Sequence, residues 1–276
     1  MVSSKILLIT EGQKTEPKII ENLITKYFDD YGRSSIHILS YKTHVYALYN
    51  QLKKDDFETN IMDVLREKNS DAYKDLADVD FDDIAYTYLF FDYDGHAYDE
   101  LKRDNIIEEM IDYFDNETDN GKLFISYPMV EALKDVTKIN VCSRRCTFQI
   151  EEGPTYKGQV HRDCEFERVE NYDDKTWMFL SRVAVKKSNC IVSDEYILPE
   201  YAVFLNDNTQ LNIFRNQVIK FITTDSKVAV LSTFPHFLIN HFGNKMYSNV
   251  VVSNADDIMY KANKCSDENC YMNKRK

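Results

Sequence analysis

Glycine is scarce in this chain, seven residues in 276. That leaves little material for a glycine-rich phosphate cradle. No Gly-x-x-x-x-Gly-Lys-Ser/Thr stretch occurs, which excludes a P-loop ATPase within these residues. No Gly-x-Ser-x-Gly elbow occurs either, so the hydrolase built on that strained serine turn is not expected. No apolar run reaches 18 residues, so no membrane-spanning helix is expected. Met1-Val2-Ser3-Ser4-Lys5 runs straight into an apolar segment and leaves no room for a signal peptide. The six cysteines, at 142, 146, 164, 190, 265 and 270, are therefore read as reduced thiols of a cytoplasmic protein. Internal repeats and low-complexity blocks are absent.

Aromatic side chains are plentiful, with 19 Tyr and 16 Phe. A chain of this length suits one large or two small domains and can bury a sizeable core without cross-links. The net charge of −12 is unevenly spread. Residues 1–128 hold 14 Lys and Arg against 27 Asp and Glu, a balance of −13; residues 129–276 hold 20 against 19, a balance of +1. An acidic first half suits a metal-binding catalytic domain. It argues against unaided binding of nucleic acid, which needs basic side chains to neutralise phosphates. The grip on a polyanion then falls to the second half or to a basic partner.

Hydrophobic periodicity orders the first half. Lys5–Thr10 is a continuous apolar run and reads as a buried strand, which Gly12 lets turn sharply. Thr15 is the expected N-cap of a helix whose Ile19, Ile20, Leu23, Ile24, Tyr27 and Phe28 share one face. A strand over Ile36–Tyr41 follows, then one or two helices between Val45 and Lys68, broken at Asp55-Asp56. Ile84–Phe91 is a strand, Leu101–Phe114 a helix, Asn116–Gly121 a turn and Leu123–Ser126 a fourth strand; Met129–Leu133 starts another helix. Such alternation predicts an α/β fold, a parallel sheet flanked by helices. The expected division places a catalytic domain over 1–140 and a mainly helical C-terminal region over 141–276. Helical patterns there lie near Trp177–Val185, Glu200–Phe221 and Val228–Phe242.

Two acidic motifs close two of the strands. Glu11-Gly12 follows the first, within Glu11-Gly12-Gln13-Lys14-Thr15-Glu16, and Asp92-Tyr93-Asp94 follows the third. Open α/β sheets bind ligands at the carboxyl ends of their strands. Side chains two apart on a strand share a face, so Asp92 and Asp94 repel unless a cation lies between them. Mg²⁺ and Mn²⁺ take such oxygen ligands. At these residues the chain resembles a TOPRIM domain, the metal-dependent fold of topoisomerases, primases and OLD-type nucleases. The Glu-Gly-x-x-Thr-Glu form is most similar to the RloB-like phage-defence branch, as is Ser126-Tyr127-Pro128-Met129-Val130-Glu131, which matches a Ser-x-Pro-x-x-Glu element. The resemblance runs from about Lys5 to about Leu133. One departure stands out. Many TOPRIM domains carry an acid four residues after the first Glu, where this chain has Thr15; its acid is Glu16.

The resemblance implies a catalytic set of Glu11, Asp92, Asp94, Glu16, Ser126 and Glu131. Glu11, Asp92, Asp94 and Glu16 would hold Mg²⁺ or Mn²⁺, one ion or two. Each residue has a plainer alternative. Glu11 and Glu16 also suit the positive end of the following helix, and Asp92 and Asp94 suit a solvated loop. Ser126 can contact phosphate or a metal-bound water, and Glu131 can be a metal ligand or a helix-surface residue. His96 is read as an exposed loop residue. Separately, Cys142, Cys146, His161 and Cys164 form a C-x₃-C-x₁₄-H-x₂-C pattern, near structural Zn²⁺ spacings and flanked by Arg144, Arg145, Lys157 and Arg162. Four unconnected thiols and imidazoles are the alternative.

The function implied is a metal-dependent nuclease that cleaves DNA or RNA, tRNA included, as the toxic effector of an antiphage abortive-infection system. The resemblance also implies a separate ATPase partner, because OLD-type nucleases carry an ATPase that this chain lacks. Oligomerisation is compatible with it. The competing readings are a non-catalytic adaptor or sensor, and a nucleotidyl-transfer enzyme on the same metal site.

Overall fold

The computed structural model describes residues 5–28, 35–68, 81–95, 100–136, 146–163, 166 and 168–253. The chain divides into two compact units, Met1–Ser126 and Tyr127–Lys276. The division lies earlier than the expected one after residue 140. Ser126 ends the last long strand of the first unit's sheet, and Tyr127 exchanges two backbone hydrogen bonds of 2.9 Å with Leu231 of the second. Ser126 therefore closes the first unit and Glu131 belongs to the second.

The first unit is built from β1 (Lys5–Thr10), α1 (Thr15–Tyr27), β2 (Ile36–Ser40), α2 (Val45–Leu52), α3 (Ile61–Lys68), β3 (Ile84–Asp92), α4 (Glu100–Tyr113), β4 (Asp115–Asn116) and β5 (Gly121–Ser126). The five strands form one sheet in the order β2-β1-β3-β5-β4, parallel except for the short β4. Ile6, Leu7, Leu8 and Ile9 of β1 are fully buried, so this interior strand is covered on both faces. Parallel strands require that, since their crossover helices lie on the faces. Burial of each such side chain stabilises by about 1.5–3 kcal/mol. Phe90 stacks on Phe124 across β3 and β5 at 5.8 Å between ring centroids. On α1, Ile19, Ile20 and Leu23 are buried, as the 3.6-residue period requires.

The expected break near Asp55-Asp56 is present: Asp56 and Phe57 both take positive φ, 54° and 66°. Two expectations differ from the outcome. Asn116–Gly121 is not only a turn, because Asp115 and Asn116 pair back on Lys122 and Gly121. The helix expected from Met129 is a single 3₁₀ turn, Val130–Leu133.

The second unit is mainly helical. It holds β6 (Thr147–Gln149), α5 (Gly153–Asp163), α6 (Asp174–Ser193), α7 (Tyr201–Asp207), α8 (Gln210–Gln217), β7 (Lys227–Ala229) and α9 (Phe234–Val252). Asp173 caps α6 by accepting the Thr176 N–H at 2.8 Å. A π turn, Val218–Ile222, continues α8. Gly243, at φ 65°, kinks α9. The strands β6 and β7 form a small antiparallel sheet inside the region expected to be helical. Buried Gln217 holds β7 by donating to the Ala229 carbonyl at 2.7 Å and accepting its N–H at 2.8 Å. No helix among the described residues is long and apolar enough to cross a membrane.

Candidate functional site

Strand order places the acidic motifs. From β1 the chain crosses to β2 on one side, whereas β3 and β5 follow on the other. β1 and β3 pair along their whole length, and the direction of the connections reverses at this seam, the place where open α/β sheets bind ligands at the carboxyl ends of their strands. Register brings the strand ends level: Thr10 faces Ser40 and Phe90, and Asp92 faces Ser126. The chain leaves β1 at Glu11, whose N–H donates to the Phe90 carbonyl at 2.9 Å. The Glu11 side chain then spans the β1–β3 seam, and its Oε2 accepts the Asp92 N–H at 3.1 Å. Glu11 and the Asp-x-Asp motif, 81 residues apart in sequence, are joined by a direct hydrogen bond.

The turn after Glu11 is held by four contacts. The Thr10 hydroxyl donates to the Gly12 carbonyl at 2.8 Å and lies 3.1 Å from the Ser40 hydroxyl. The Lys42 N–H donates to the Glu11 carbonyl at 2.9 Å. The fourth comes from Glu16, which is 5% exposed and whose Oε1 accepts the Gly12 N–H at 2.8 Å. Thr15 was the expected N-cap. The helix begins at Thr15 instead, and the cap position, Lys14, makes no side-chain capping bond. Glu16 reaches back from the first turn and satisfies a backbone donor ahead of the helix. Gly12 is required by that approach: a Cβ there would lie 2.7 and 2.8 Å from the two Glu16 carboxylate oxygens.

Tyr93, the middle residue of Asp-Tyr-Asp, is fully buried and pinned at three points. Its N–H donates to the Ser126 carbonyl at 3.0 Å, its carbonyl accepts the Tyr46 hydroxyl at 2.7 Å, and its own hydroxyl donates to Asp104 Oδ1 at 2.7 Å. Asp94 follows at φ 40°, in the left-handed region that non-glycine residues adopt infrequently. Tyr93, Tyr46 and Thr10 thus position the acidic residues. In the sequence they read as core filler, and only their buried polar atoms identify them.

The electrostatics are those of crowded carboxylates. Burial pushes the Glu11 carboxyl up to about 8, with the charges of Asp94 and Glu16 adding to the rise and the Asp92 N–H opposing it. Burial therefore favours the protonated form of Glu11. The donor set is oxygen-only, the chemistry that Mg²⁺ and Mn²⁺ prefer. The arrangement is not that of an assembled ligand sphere, because among the described residues no three Asp, Glu, His or Cys side chains are grouped to hold a metal ion.

Of the remaining expected residues, one lies at this edge, one belongs to the second unit and others lie outside the described residues. Ser126 is buried at the end of β5, level with Asp92. Glu131 lies in the second unit and pairs with Lys157 at 3.1 Å. His96, Cys142 and Cys164 lie outside the described residues, as do Arg144 and Arg145. Of the other two residues of the zinc pattern, Cys146 is buried and His161 is exposed near the end of α5. Comparison with known proteins found no match for this chain among family models, curated proteins or solved structures.

Proposed function

We propose that the chain is a Mg²⁺- or Mn²⁺-dependent nuclease of TOPRIM type, with the carboxyl edge of the β1–β3 seam as its reaction centre. One observation carries the reading: the Glu11 carboxylate bridges to Asp92 at the switch point of a parallel sheet, with Asp94 and Glu16 close enough to act on its charge. Asp92 and Asp94, with Glu16, would hold the divalent ion, which when bound supplies charge neutralisation and Lewis acidity to a phosphodiester. Glu11, whose burial favours the protonated form, would serve as the general acid toward a leaving oxygen. Tyr93 keeps the Asp-Tyr-Asp turn against the sheet edge, and Thr10 and Gly12 keep Glu11 over the seam.

The acidic balance of the first unit and the missing P-loop support a separate ATPase partner that brings the nucleic acid, as does the likeness to phage-defence effectors. A non-catalytic adaptor is the second reading, and the absence of an assembled metal set among the described residues favours it. The deciding experiment incubates the full chain, alone and with neighbouring gene products, with Mg²⁺ or Mn²⁺ and DNA, total RNA or tRNA. Metal-dependent cleavage lost in both Glu11→Gln and Asp92→Asn supports the nuclease. Cleavage that survives both substitutions would falsify the site, and nucleotide incorporation in place of cleavage would indicate the transferase.

A further inference from the structure

The first unit is acidic, yet one stretch of it carries no acid at all. Residues 31–54 hold neither Asp nor Glu, and they hold Arg33, Lys42, Lys53 and Lys54. No other acid-free stretch of residues 1–126 is half as long. Within this stretch lie β2, α2 and the loop between them, residues 41–44. Because β2 runs parallel to β1, that loop leaves the sheet at the edge where Glu11 stands. The ladder continues past the strand ends: the Tyr41 N–H donates to the Thr10 carbonyl at 2.7 Å, and the Lys42 N–H to the Glu11 carbonyl at 2.9 Å. Tyr41 is buried and edge-on to Phe91 at 5.9 Å between ring centroids, and Val45 and Tyr46 are buried at the start of α2. The base of Lys42 is therefore fixed on both sides, while the residue itself is exposed. Lys42 takes φ 68°, where glycine or asparagine is the usual choice. Neither Lys42 nor Lys14, exposed in the turn after Glu11, has a side-chain partner among the described residues. Lys53, past the far end of α2, is paired with Glu109.

A polynucleotide brings a phosphate with every nucleotide, and an edge that carries Glu11, Asp92 and Asp94 repels those that no cation meets. Cations beside the acids, and not among them, suit the phosphates that flank the reacting one. Phosphate contacts of this kind set a strand's register and orientation. A lysine ammonium, with three donors on a flexible stem, meets a phosphate as a point charge. A lysine kept where the backbone suits glycine points to a use for its charge. We propose that Lys42, with Lys14 as a second cation, holds the phosphate next to the scissile one, so that the bound strand leaves the reaction centre over β2. The inference rests on the nuclease reading and gives the acidic unit a local grip on its polyanion.

The test titrates the full chain into labelled single-stranded DNA and RNA of one sequence, followed by fluorescence anisotropy in Ca²⁺ over a series of monovalent salt. Lys42→Gly fits the local backbone and should not lower the unfolding temperature. It should weaken binding about three- to fivefold at low salt and flatten the plot of log affinity against log salt by about 0.7, the share of one phosphate contact on a single strand. Lys42→Arg keeps the charge and should keep both affinity and slope. In cleavage assays with Mg²⁺ or Mn²⁺, Lys42→Gly should raise KM more than it lowers kcat. The two readings fail separately. Wild-type binding that Lys42→Gly weakens, with no cleavage in either metal, supports the grip and removes the nuclease. Metal-dependent cleavage with the same KM and the same salt slope in wild type and Lys42→Gly overturns the grip and leaves the nuclease standing. The absence of salt-dependent binding by the wild type at high-micromolar protein also overturns the grip.

Discussion

Replacing Gly12 with alanine tests the Glu11 turn through a single pair of groups. The added Cβ would lie 2.7 Å from Glu16 Oε2 and 2.8 Å from Oε1, so the carboxylate must move. The Glu16 carboxylate also accepts the Gly12 N–H, and moving it stretches or breaks that bond. A hydrogen bond to a charged group contributes about 1.5–3 kcal/mol, and overpacking costs about 1–3 kcal/mol more where the neighbour cannot give way. Glycine at position 12 does not have a positive φ, so alanine also gains about 0.4–1 kcal/mol by restricting the unfolded chain. The net expectation for Gly12→Ala is a loss of about 0.5–2.5 kcal/mol where the carboxylate swings aside and up to about 5.5 kcal/mol where it cannot. In a Glu16→Ala background both the clash and the bond are gone. There the same substitution should be neutral or slightly stabilising. Urea unfolding of the four proteins therefore should give a coupling energy of at least about 1.5 kcal/mol. Additivity within about 0.5 kcal/mol would show that Gly12 is not held for the Glu16 carboxylate, and the account of this turn would fail.

Other perturbations read other parts of the structure. Tyr93→Phe removes the bond to Asp104 and should cost about 1 kcal/mol while lowering any metal-dependent cleavage; unchanged cleavage would exclude a positioning role. Millimolar Mn²⁺ should raise the unfolding temperature of the wild type and not that of Asp92→Asn, and an equal rise in both would place the ion elsewhere. Burial lowers the His236 imidazole from 6.5 to about 4. The native protein thus stays neutral there while the unfolded chain takes up a proton, and stability should fall between about pH 6.5 and pH 4 by roughly 3 kcal/mol. His236→Leu should flatten that stretch of the stability curve, and an undiminished slope would assign it to other groups. Asp173→Ala removes the cap of α6 and should cost about 1 kcal/mol in thermal unfolding, with no change expected in cleavage.

Local chemistry made the first unit legible from sequence. A run such as Ile-Leu-Leu-Ile has no polar side to expose, so β1 had to be a covered strand, and the period of α1 named its buried face. The acidic residues could be placed at strand ends because a strand stops where its apolar run stops. The failures were also physical. Thr15 has a capping hydroxyl, but Glu16, one position on, is long enough to reach the Gly12 N–H. The strands β6 and β7 have three residues each, too few for a period to register. They pair across about 80 positions of chain, and Val228 then read as the start of a helix.

What the sequence by itself determined was therefore what each segment is: which runs must be buried, which residues end them, and that carboxylates stand after β1 and β3. Only the tertiary structure decided which segments meet. The order β2-β1-β3-β5 puts Glu11 beside Asp92 rather than across the sheet, and Glu131 in a separate unit beside Lys157. It also turned Tyr93 from a spacer into a clamp. Periodicity and turn chemistry act over a few residues, whereas hydrogen bonds and charges act through space, between groups whose distance is set by packing and not by their separation along the chain.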